Sequence, residues 1–249
     1  MRSGTTIRHD SRATDAAVPP NTRVYAVGDI HGRSDLLAET IARIDDDVRR
    51  RPVEHVVEVY LGDYIDRGPD SSGVLDLLAV RLVRRHAICL RGNHEAILER
   101  FLRQDADTLY HWSKLGGFQT LASYGVVPRS RSGLETPSAI QRSLLEIFPR
   151  EHELFLQCLR NSFVCGDFLF VHAGIKPGVP MNQQDPEDLF WIRDEFLNSD
   201  LNHGKVIVHG HTPVDHPDIR ENRINIDTGA WRTGVLTCIA IEGATVLVL

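Results

Sequence analysis

The stretch "VYAVGDIHGRSDLL", residues 24–37, places two polar side chains where an apolar run ends. Residues 24–27 are apolar and typical of a buried strand, and a helical pattern follows the polar pair. Asp29 and His31 stand two residues apart and are flanked by glycines. Glycine permits the tight turns and close backbone approaches that a ligand site needs. Side chains two residues apart on an extended backbone point to the same side, so this carboxylate and this imidazole can act on one ligand.

Four further predicted strands also end in Asp, Asn or His, mostly beside a glycine. These side chains are Asp63 in "GDYIDRG", Asn93 and His94 in "RGNHE", His172 in "VHAG" and His211 in "VHGHTP". Any one of them alone is more often a turn residue or a buried polar residue than part of a site. In open α/β sheets, however, ligand sites form at the carboxyl ends of strands. Five strands with the same feature therefore predict one shared site.

The residue types at these strand ends predict a metal site. Asp, Asn and His supply oxygen and nitrogen ligands and no thiolate, which suits Mn²⁺, Fe or Zn²⁺ rather than a structural Cys-zinc site. Three carboxylate or amide oxygens and three imidazoles are too many for one ion with an open position, and they suit two ions that share a bridging carboxylate. Two metals roughly 3.5–4 Å apart activate water and hold a phosphoryl group. We therefore expect two divalent ions per chain, with Mn²⁺ favoured and Fe or Zn²⁺ as alternatives.

The pattern of apolar residues predicts a single α/β domain at residues 23–249. The polar segment at residues 1–22 has no apolar core, and we expect it to be a flexible tail. Strands are predicted at 23–27, 55–61, 87–90, 163–165, 168–172, 206–209, 223–227, 235–241 and 244–248. Helices are predicted at 34–50, 71–85, 94–103, 111–123, 137–147, 151–161 and 186–197.

Composition excludes several classes of partner. The chain has 249 residues, a net charge of −6 and no long basic block, so no nucleic-acid footprint is evident. No run approaches the ~20 apolar residues of a membrane span, so no membrane partner is expected. The four cysteines stand singly in apolar surroundings, which predicts a reduced, cytoplasmic protein with cysteines in its core. They are Cys89, Cys158, Cys165 and Cys238.

The blocks "GDIHG", "GDYIDRG", "RGNHE", "VHAG" and "GHT", within residues 28–212, resemble the signature of a known family. They are similar, in type and order, to the PPP family of metallophosphoesterases, the serine/threonine protein phosphatases and their bacterial relatives. The resemblance implies an α/β fold with a central β-sandwich of mixed sheets flanked by helices. It also implies a dinuclear metal centre at one edge of the sandwich.

The resemblance assigns the metal ligands position by position. It implies that Asp29 and His31 bind the first metal and that Asp63 bridges both metals. The second metal is completed by Asn93, His172 and His211. His209, two residues before His211, is an alternative ligand, but its place outside the Gly-His-Thr block favours a structural role.

The resemblance also assigns the residues that act on substrate. His94 matches the general acid, Asp66 the carboxylate that orients it, and Arg67 a phosphate-binding arginine. Asn93 is expected to contact substrate as well as metal. A second arginine is expected later in the chain, and Arg193 in "DLFWIRDEFL" is favoured for it, with Arg220 and Arg232 as alternatives. The stretch "NIDTGA", at 225–230, resembles a late block of the family that lines the site.

The implied activity is that of a metal-dependent phosphomonoesterase, with a bridging hydroxide as nucleophile. A serine/threonine protein phosphatase is favoured, with phosphorylated proteins as substrates and inorganic phosphate as product; tyrosine or dual specificity stays open. Hydrolases of dinucleoside polyphosphates or nucleotide-capped 5′ ends share the metal ligands. They typically differ around the position of Asp66 and have Asp at that of Glu95, so both residues favour the protein phosphatase. An inactive binding protein would lack a ligand or the acid, and this sequence lacks neither.

Overall fold

Two mixed β-sheets stack against each other at the centre of the protein. The computed structural model describes residues 8–9, 16–103, 105–127 and 136–249. Apolar side chains from both sheets, among them Val24, Val59, Phe170 and Val208, form one buried cluster between the sheets. The predicted β-sandwich of mixed sheets is therefore confirmed.

The first sheet has six strands in the order β1-β11-β10-β2-β3-β4. Its strands are β1 (Arg8–His9), β2 (Thr22–Val27), β3 (His55–Tyr60), β4 (Ile88–Cys89), β10 (Cys238–Glu242) and β11 (Thr245–Val248). The second sheet has five strands in the order β5-β6-β7-β9-β8. Its strands are β5 (Ser162–Cys165), β6 (Phe168–Val171), β7 (Val206–His209), β8 (Asp218–Ile219) and β9 (Arg223–Asn225).

Helices cover the outer faces of both sheets. They are α1 (Ser34–Arg50), α2 (Ser71–Arg85), α3 (Asn93–Leu102), α4 (Thr108–Trp112), α5 (Gly117–Ser123), α6 (Pro137–Ile147), α7 (Arg150–Gln157), α8 (Pro186–Trp191), α9 (Asp194–Leu197) and α10 (Ala230–Thr233). A single 3₁₀ turn, Ser113–Leu115, joins α4 to α5, and another, Met181–Gln183, precedes α8.

Side chains along the central strands alternate between the layer shared by the two sheets and the layer beneath the helices. Val24 and Ala26 of β2 belong to the cluster between the sheets, whereas Tyr25 and Val27 pack with residues of the covering helices. Successive side chains of a strand point to opposite faces, so an apolar run that is buried on both faces suits a central strand. Leu169 of β6 packs in the same way toward the second layer of helices.

Parallel pairing brings the polar strand ends to one edge of the sandwich. Strand β2 pairs in parallel with β3, and β3 with β4. In the second sheet β6 pairs in parallel with β7, and β7 with β9. Because parallel strands end at the same edge of a sheet, the residues that follow these six strands can meet.

Two predicted helices are broken in the structure. The predicted helix at 186–197 consists of α8 and α9, because Arg193 has φ −132° and ψ −102°, which is not helical. The predicted helix at 111–123 is interrupted at Gly116, where φ is 102°. The short elements β8 and α10 were not predicted, because four or fewer residues carry too little periodicity.

Part of the predicted tail packs on the domain. Val18 is 4% exposed, and its N–H donates to the carbonyl of Gly243 at 3.0 Å. Strand β1 lies within the same segment and pairs with β11. Packing therefore begins before residue 23. Residues 1–7 and 10–15 of the predicted tail lie outside the described residues.

The cysteines are all free, but only part of the prediction about them holds. Cys89 and Cys238 are buried, whereas Cys158 is exposed rather than in the core. The exposure follows from the position of Cys158 at the end of α7, where the helix reaches the surface. Among the described residues, no helix is both long and apolar enough to cross a membrane.

Candidate active site

Asp63 lies at the centre of the polar cluster at the sheet edge. Its Oδ2 atom is 3.5 Å from Nε2 of His31, and its Oδ1 atom is 3.3 Å from Nε2 of His172. Two groups of side chains place their donor atoms within 4.8 Å of one another, and Asp63 belongs to both. The first group adds His31 and His94, and the second adds His172 and His211. Asp63 is thus placed where a carboxylate can bridge two ions.

The backbone of the cluster is strained. Seven described residues other than glycine have positive φ, and five of them belong to the site. These five are His31 (47°), Asp63 (52°), Asp66 (72°), Arg67 (66°) and His211 (67°). Such conformations cost of order 1–3 kcal/mol each and persist only where the surroundings impose them. Their concentration at the strand ends indicates a built functional site.

Glu95 holds the turn that carries Asp63, and sequence analysis missed this role. The buried Glu95 carboxylate accepts the N–H of Asp63 at 2.8 Å, of Tyr64 at 2.8 Å and of Gly92 at 3.0 Å. Burial raises the pKa of Glu95 to about 8, and the negative charge of Asp63 adds to this shift. The local signal was the place of Glu95 at the third position of α3, where its carboxylate accepts the N–H of the N-cap residue Gly92.

The histidines His31 and His172 present their Nε2 atoms to Asp63. Nδ1 of His31 lies 2.8 Å from the carbonyl of Ile65, and Nδ1 of His172 lies 2.9 Å from that of Leu61. A carbonyl only accepts, so each Nδ1 carries the proton and each Nε2 keeps its lone pair. Burial lowers the pKa of both rings and keeps them neutral. This is the state in which imidazole binds a metal.

Two buried atoms of the cluster have no hydrogen-bond partner. They are Oδ1 of Asp29 and Nε2 of His211. Oδ2 of Asp29 accepts the backbone N–H of His211 at 3.0 Å, so these two residues are in contact. Burial lowers the pKa of His211 to about 2, which leaves the ring neutral with a free lone pair. A buried acceptor without a donor is unfavourable unless a cation or water meets it.

The donor set fits divalent cations. Burial raises the pKa of Asp29, and the negative charges of Asp227 and Asp63 raise it further. Asn93, at the start of α3, places Oδ1 3.0 Å from Nε2 of His172, within the same cluster. The crowded carboxylates carry negative charge that bound cations would offset. The neutral imidazoles and the amide oxygen add uncharged ligand atoms.

His94 differs from the other histidines of the site. Its Nδ1 atom lies 2.5 Å from Oδ2 of Asp66, and its Nε2 atom lies 3.7 Å from Oδ2 of Asp63. Burial favours the neutral ring, but the carboxylates of Asp63 and Asp66 outweigh it and raise the pKa of His94. His94 can therefore carry a proton at Nε2 beside the cluster.

Asp66 is held by three residues that sequence analysis did not identify. Trp112, Thr120 and Ser71 are fully buried and hydrogen-bond to its side chain or its backbone. Trp112 and Thr120 are 46 and 54 residues from Asp66 along the chain, and no local motif marks them.

The arginines differ in how close they lie to the cluster. Nη2 of Arg67 is 3.4 Å from Nε2 of His94, and its guanidinium lies 5.5 Å from the centre of the Trp231 ring. Arg193 is exposed, and its charge contributes to lowering the pKa of His211. Arg220 pairs instead with Asp218 at 2.8 Å. Arg232 lies in α10, next to Trp231.

Two further buried titratable residues, Asp227 and His209, lie near the strand ends. Asp227, which follows β9, is 2% exposed, and burial raises its pKa to about 6, with the nearby Asp63 charge adding to the shift. The "NIDTGA" block contained it, but no role had been assigned to it. His209 packs edge-on against Phe196 at 5.1 Å and is absent from both donor groups around Asp63.

The comparison with known families agrees with this geometry. The model of the family "Calcineurin-like phosphoesterase" matches residues 22–232. The chain belongs to this family. The resemblance to PPP metallophosphoesterases is thereby confirmed, and this phosphoesterase is a hydrolase of a family that uses divalent metals.

Curated relatives of this phosphoesterase carry two kinds of name. It is 26% identical, over 86% of this chain and 87% of the relative, to bis(5′-nucleosyl)-tetraphosphatase PrpE [asymmetrical] of Halalkalibacterium halodurans. It is 27% identical, over 88% and 93% of the two chains, to serine/threonine-protein phosphatase 2 of Salmonella typhimurium. A solved structure provisionally named a diadenosine tetraphosphatase superposes with a TM-score of 0.62, at 20% identity, over 94% of this chain and 97% of the other. That last likeness shows the fold alone.

Proposed function

We propose that this phosphoesterase hydrolyses phosphomonoesters with poor leaving groups, above all phosphoserine and phosphothreonine in proteins. The observation that carries the proposal is the pair His94–Asp66 beside the Asp63 cluster, with a contact of 2.5 Å. A serine alkoxide leaves only when it is protonated, and an imidazole with a raised pKa can supply that proton. A reaction with a good leaving group would not need such a pair.

The metal ligands in this proposal are Asp29, His31, Asp63, Asn93, His172 and His211. When bound, two divalent ions, with Mn²⁺ favoured, would activate water as the nucleophile and offset the charge of the phosphoryl group. Asp63 serves both positions, because its two oxygens face different histidines. The free lone pairs of Asp29 and His211 support their inclusion in the ligand set.

The remaining site residues act on the phosphoryl group and the leaving oxygen. Arg67 and Arg193 bind the non-bridging oxygens, since charged hydrogen bonds to phosphate are strong and directional. Asn93 is placed to contact substrate as well as metal. His94 donates its Nε2 proton to the leaving oxygen, and Asp66 holds Nδ1 so that Nε2 faces the substrate. Phosphorylated proteins are the substrates, and inorganic phosphate is a product.

A second candidate is asymmetrical hydrolysis of dinucleoside tetraphosphates, with nucleotide-capped 5′ ends as a related substrate. It is supported by the names of the PrpE relatives, which match this chain over most of its length. Trp231 also supports it, because this ring is 40% exposed beside Arg67 and could stack on a nucleobase. Glu95 and Asp66 favour the protein substrate instead.

One experiment separates the two candidates. The Mn²⁺-loaded protein is assayed for kcat/KM on a phosphoserine peptide and on diadenosine tetraphosphate, with His94→Ala as the matched variant. We expect the peptide to be preferred and to lose about 10²–10⁴-fold in the variant. A clear preference for diadenosine tetraphosphate would overturn the first candidate in favour of the second. Turnover of neither substrate would support an inactive binding protein.

A further inference from the structure

The helices α4 and α5 reach from the outer layer of the protein to Asp66. Nε1–H of Trp112 donates to Oδ2 of Asp66 at 2.8 Å, and the hydroxyl of Thr120 donates to Oδ1 at 2.5 Å. Asp66, Trp112 and Thr120 are each 0% exposed. Both carboxylate oxygens of Asp66 thus have a donor from this segment, in addition to His94.

The hydrogen bonds around Asp66 allow only one arrangement of protons. The N–H of Asp66 donates to the hydroxyl oxygens of Thr120 at 2.9 Å and Ser71 at 3.0 Å. Thr120 donates its single hydroxyl proton to Oδ1 of Asp66. In the 2.9 Å contact between the Thr120 and Ser71 hydroxyls, Ser71 must therefore be the donor. Every polar atom in this group then has a partner, so the group fixes both the backbone and the side chain of Asp66.

Asp66 needs these contacts because its backbone conformation is unfavourable and its side chain has no contact with solvent. Its φ of 72° is unfavourable for a residue with a side chain. A buried carboxylate also needs donors to remain ionised in place. Without Trp112 and Thr120, His94 would be its only side-chain donor in the described part of the chain. The carboxylate would then be free to rotate away from Nδ1 of His94.

We propose that Trp112 and Thr120 are positioning residues for proton transfer from His94. They hold Asp66 on Nδ1 of His94, so that Nε2 carries the proton toward the leaving oxygen. The inference rests on the proposed role of His94 as general acid and extends it to α4 and α5, which thereby contribute to catalysis.

The test measures how strongly the rate depends on the leaving group. A series of phosphomonoesters, from p-nitrophenyl phosphate to alkyl phosphates, gives the slope of log(kcat/KM) against the pKa of the leaving alcohol. Thr120→Val removes the donated hydroxyl at constant volume, and Trp112→Phe removes the indole N–H. We expect both to steepen the slope, with about tenfold more loss on the alkyl than on the nitrophenyl ester, a fraction of full general-acid catalysis.

Two variants separate hydrogen bonding from packing. Thr120→Ser keeps the hydroxyl and should restore most of the wild-type slope. Phe101→Leu alters the packing around Trp112, whose ring lies 5.1 Å from that of Phe101, and leaves the hydrogen bonds intact. It should lower thermal stability without changing the slope. If Trp112→Phe does not fold, the comparison of Thr120→Val with Thr120→Ser is sufficient for the test.

The outcomes distinguish this inference from the proposed function. If Thr120→Val lowers all rates equally and Thr120→Ser does the same, the residue is only structural and the inference is wrong. If His94→Ala steepens the slope but the Thr120→Val and Trp112→Phe slopes stay at the wild-type value, the positioning inference alone fails. If even His94→Ala leaves the slope unchanged, the proposed general acid fails as well.

Discussion

At the scale of single residues, the histidines of the site differ in the protonation state that their surroundings favour. Burial lowers the pKa of His31, His172 and His211, so these rings are neutral and offer lone pairs. His94 is equally buried, yet its two carboxylate neighbours raise its pKa. The difference arises from Asp66, which bonds to His94 and to none of the other three rings. One cluster thus contains neutral imidazoles suited to binding metal and one imidazole suited to donating a proton.

The raised pKa of His94 predicts a pH dependence with a definite sign. The acid must be protonated, so above neutral pH activity on a phosphoserine peptide should fall as pH rises through the pKa of His94, which Asp63 and Asp66 hold above its ordinary value. The loss should approach about tenfold per pH unit beyond that pKa for a single proton. p-Nitrophenyl phosphate should show a weaker decline, because its leaving group needs no proton. A peptide profile that rises through the same range would contradict the assignment.

The two arginines assigned to phosphate predict losses in catalysis without losses of metal. Arg67→Ala and Arg193→Ala should each weaken transition-state binding by about 1.5–3 kcal/mol, the range for hydrogen bonds to charged groups. Metal content should not change, since neither side chain is a ligand. Arg220→Ala is the matched control, because Arg220 already pairs with Asp218. If Arg220→Ala is impaired and Arg193→Ala is not, the second phosphate contact belongs to Arg220.

At the scale of elements, the strand ends could be predicted and the helices that support them could not. Asp29, Asp63 and His172 each lie within three residues of the end of an apolar strand, so a local pattern marks them. Trp112 reaches Asp66 only through the packing of α4, across 46 residues. No periodicity encodes such a contact. Likewise the predicted helix start at residue 186 coincides with the start of α8, but the break at Arg193 has no local signal.

The turn after β7 predicts a strong effect for a small substitution. A Cβ at Gly210 would overlap Oδ1 of Asp29, one of the two unpartnered atoms of the cluster. Gly210→Ala should therefore displace Asp29 and weaken metal binding, measured by Mn²⁺ titration. Gly178→Ala is the control, because a Cβ at this position would meet no atom within 4 Å. It should cost only the roughly 1–2 kcal/mol of placing alanine in a left-handed backbone conformation. Equal Mn²⁺ affinity in both variants would show that Asp29 does not bind metal.

At the scale of the whole molecule, the sandwich joins two sheets that each carry half of the site. Asp29, Asp63 and Asn93 follow strands of the six-stranded sheet, and His172 and His211 follow strands of the five-stranded sheet. The apolar layer between the sheets therefore sets the distance between the two halves. The sequence indicated the converging strand ends and, through family resemblance, the sandwich. It did not indicate that packing begins ahead of residue 23.

The packed segment before β2 predicts a cost of truncation. Deletion of residues 1–20 removes Val18, which is 4% exposed, and the bond from the N–H of Ala17 to Asp167. We expect the free energy of unfolding to fall by at least about 2–3 kcal/mol, from one buried valine and the hydrogen bonds to Asp167 and Gly243. Val18→Ala in the full chain should account for about half of this loss. Urea unfolding curves that coincide for the deletion and the full chain would show that the segment contributes nothing.

The central claim is that the strand ends hold two divalent ions with Asp63 between them. Its most direct test is metal stoichiometry after equilibrium dialysis against Mn²⁺, for the wild-type chain and for Asp63→Asn. Folding of both chains is checked by circular dichroism. The account predicts two ions per wild-type chain and at most one in the variant, because Asp63 faces both groups of donors. A wild-type chain that binds fewer than two ions, or a variant that still binds two, would contradict it.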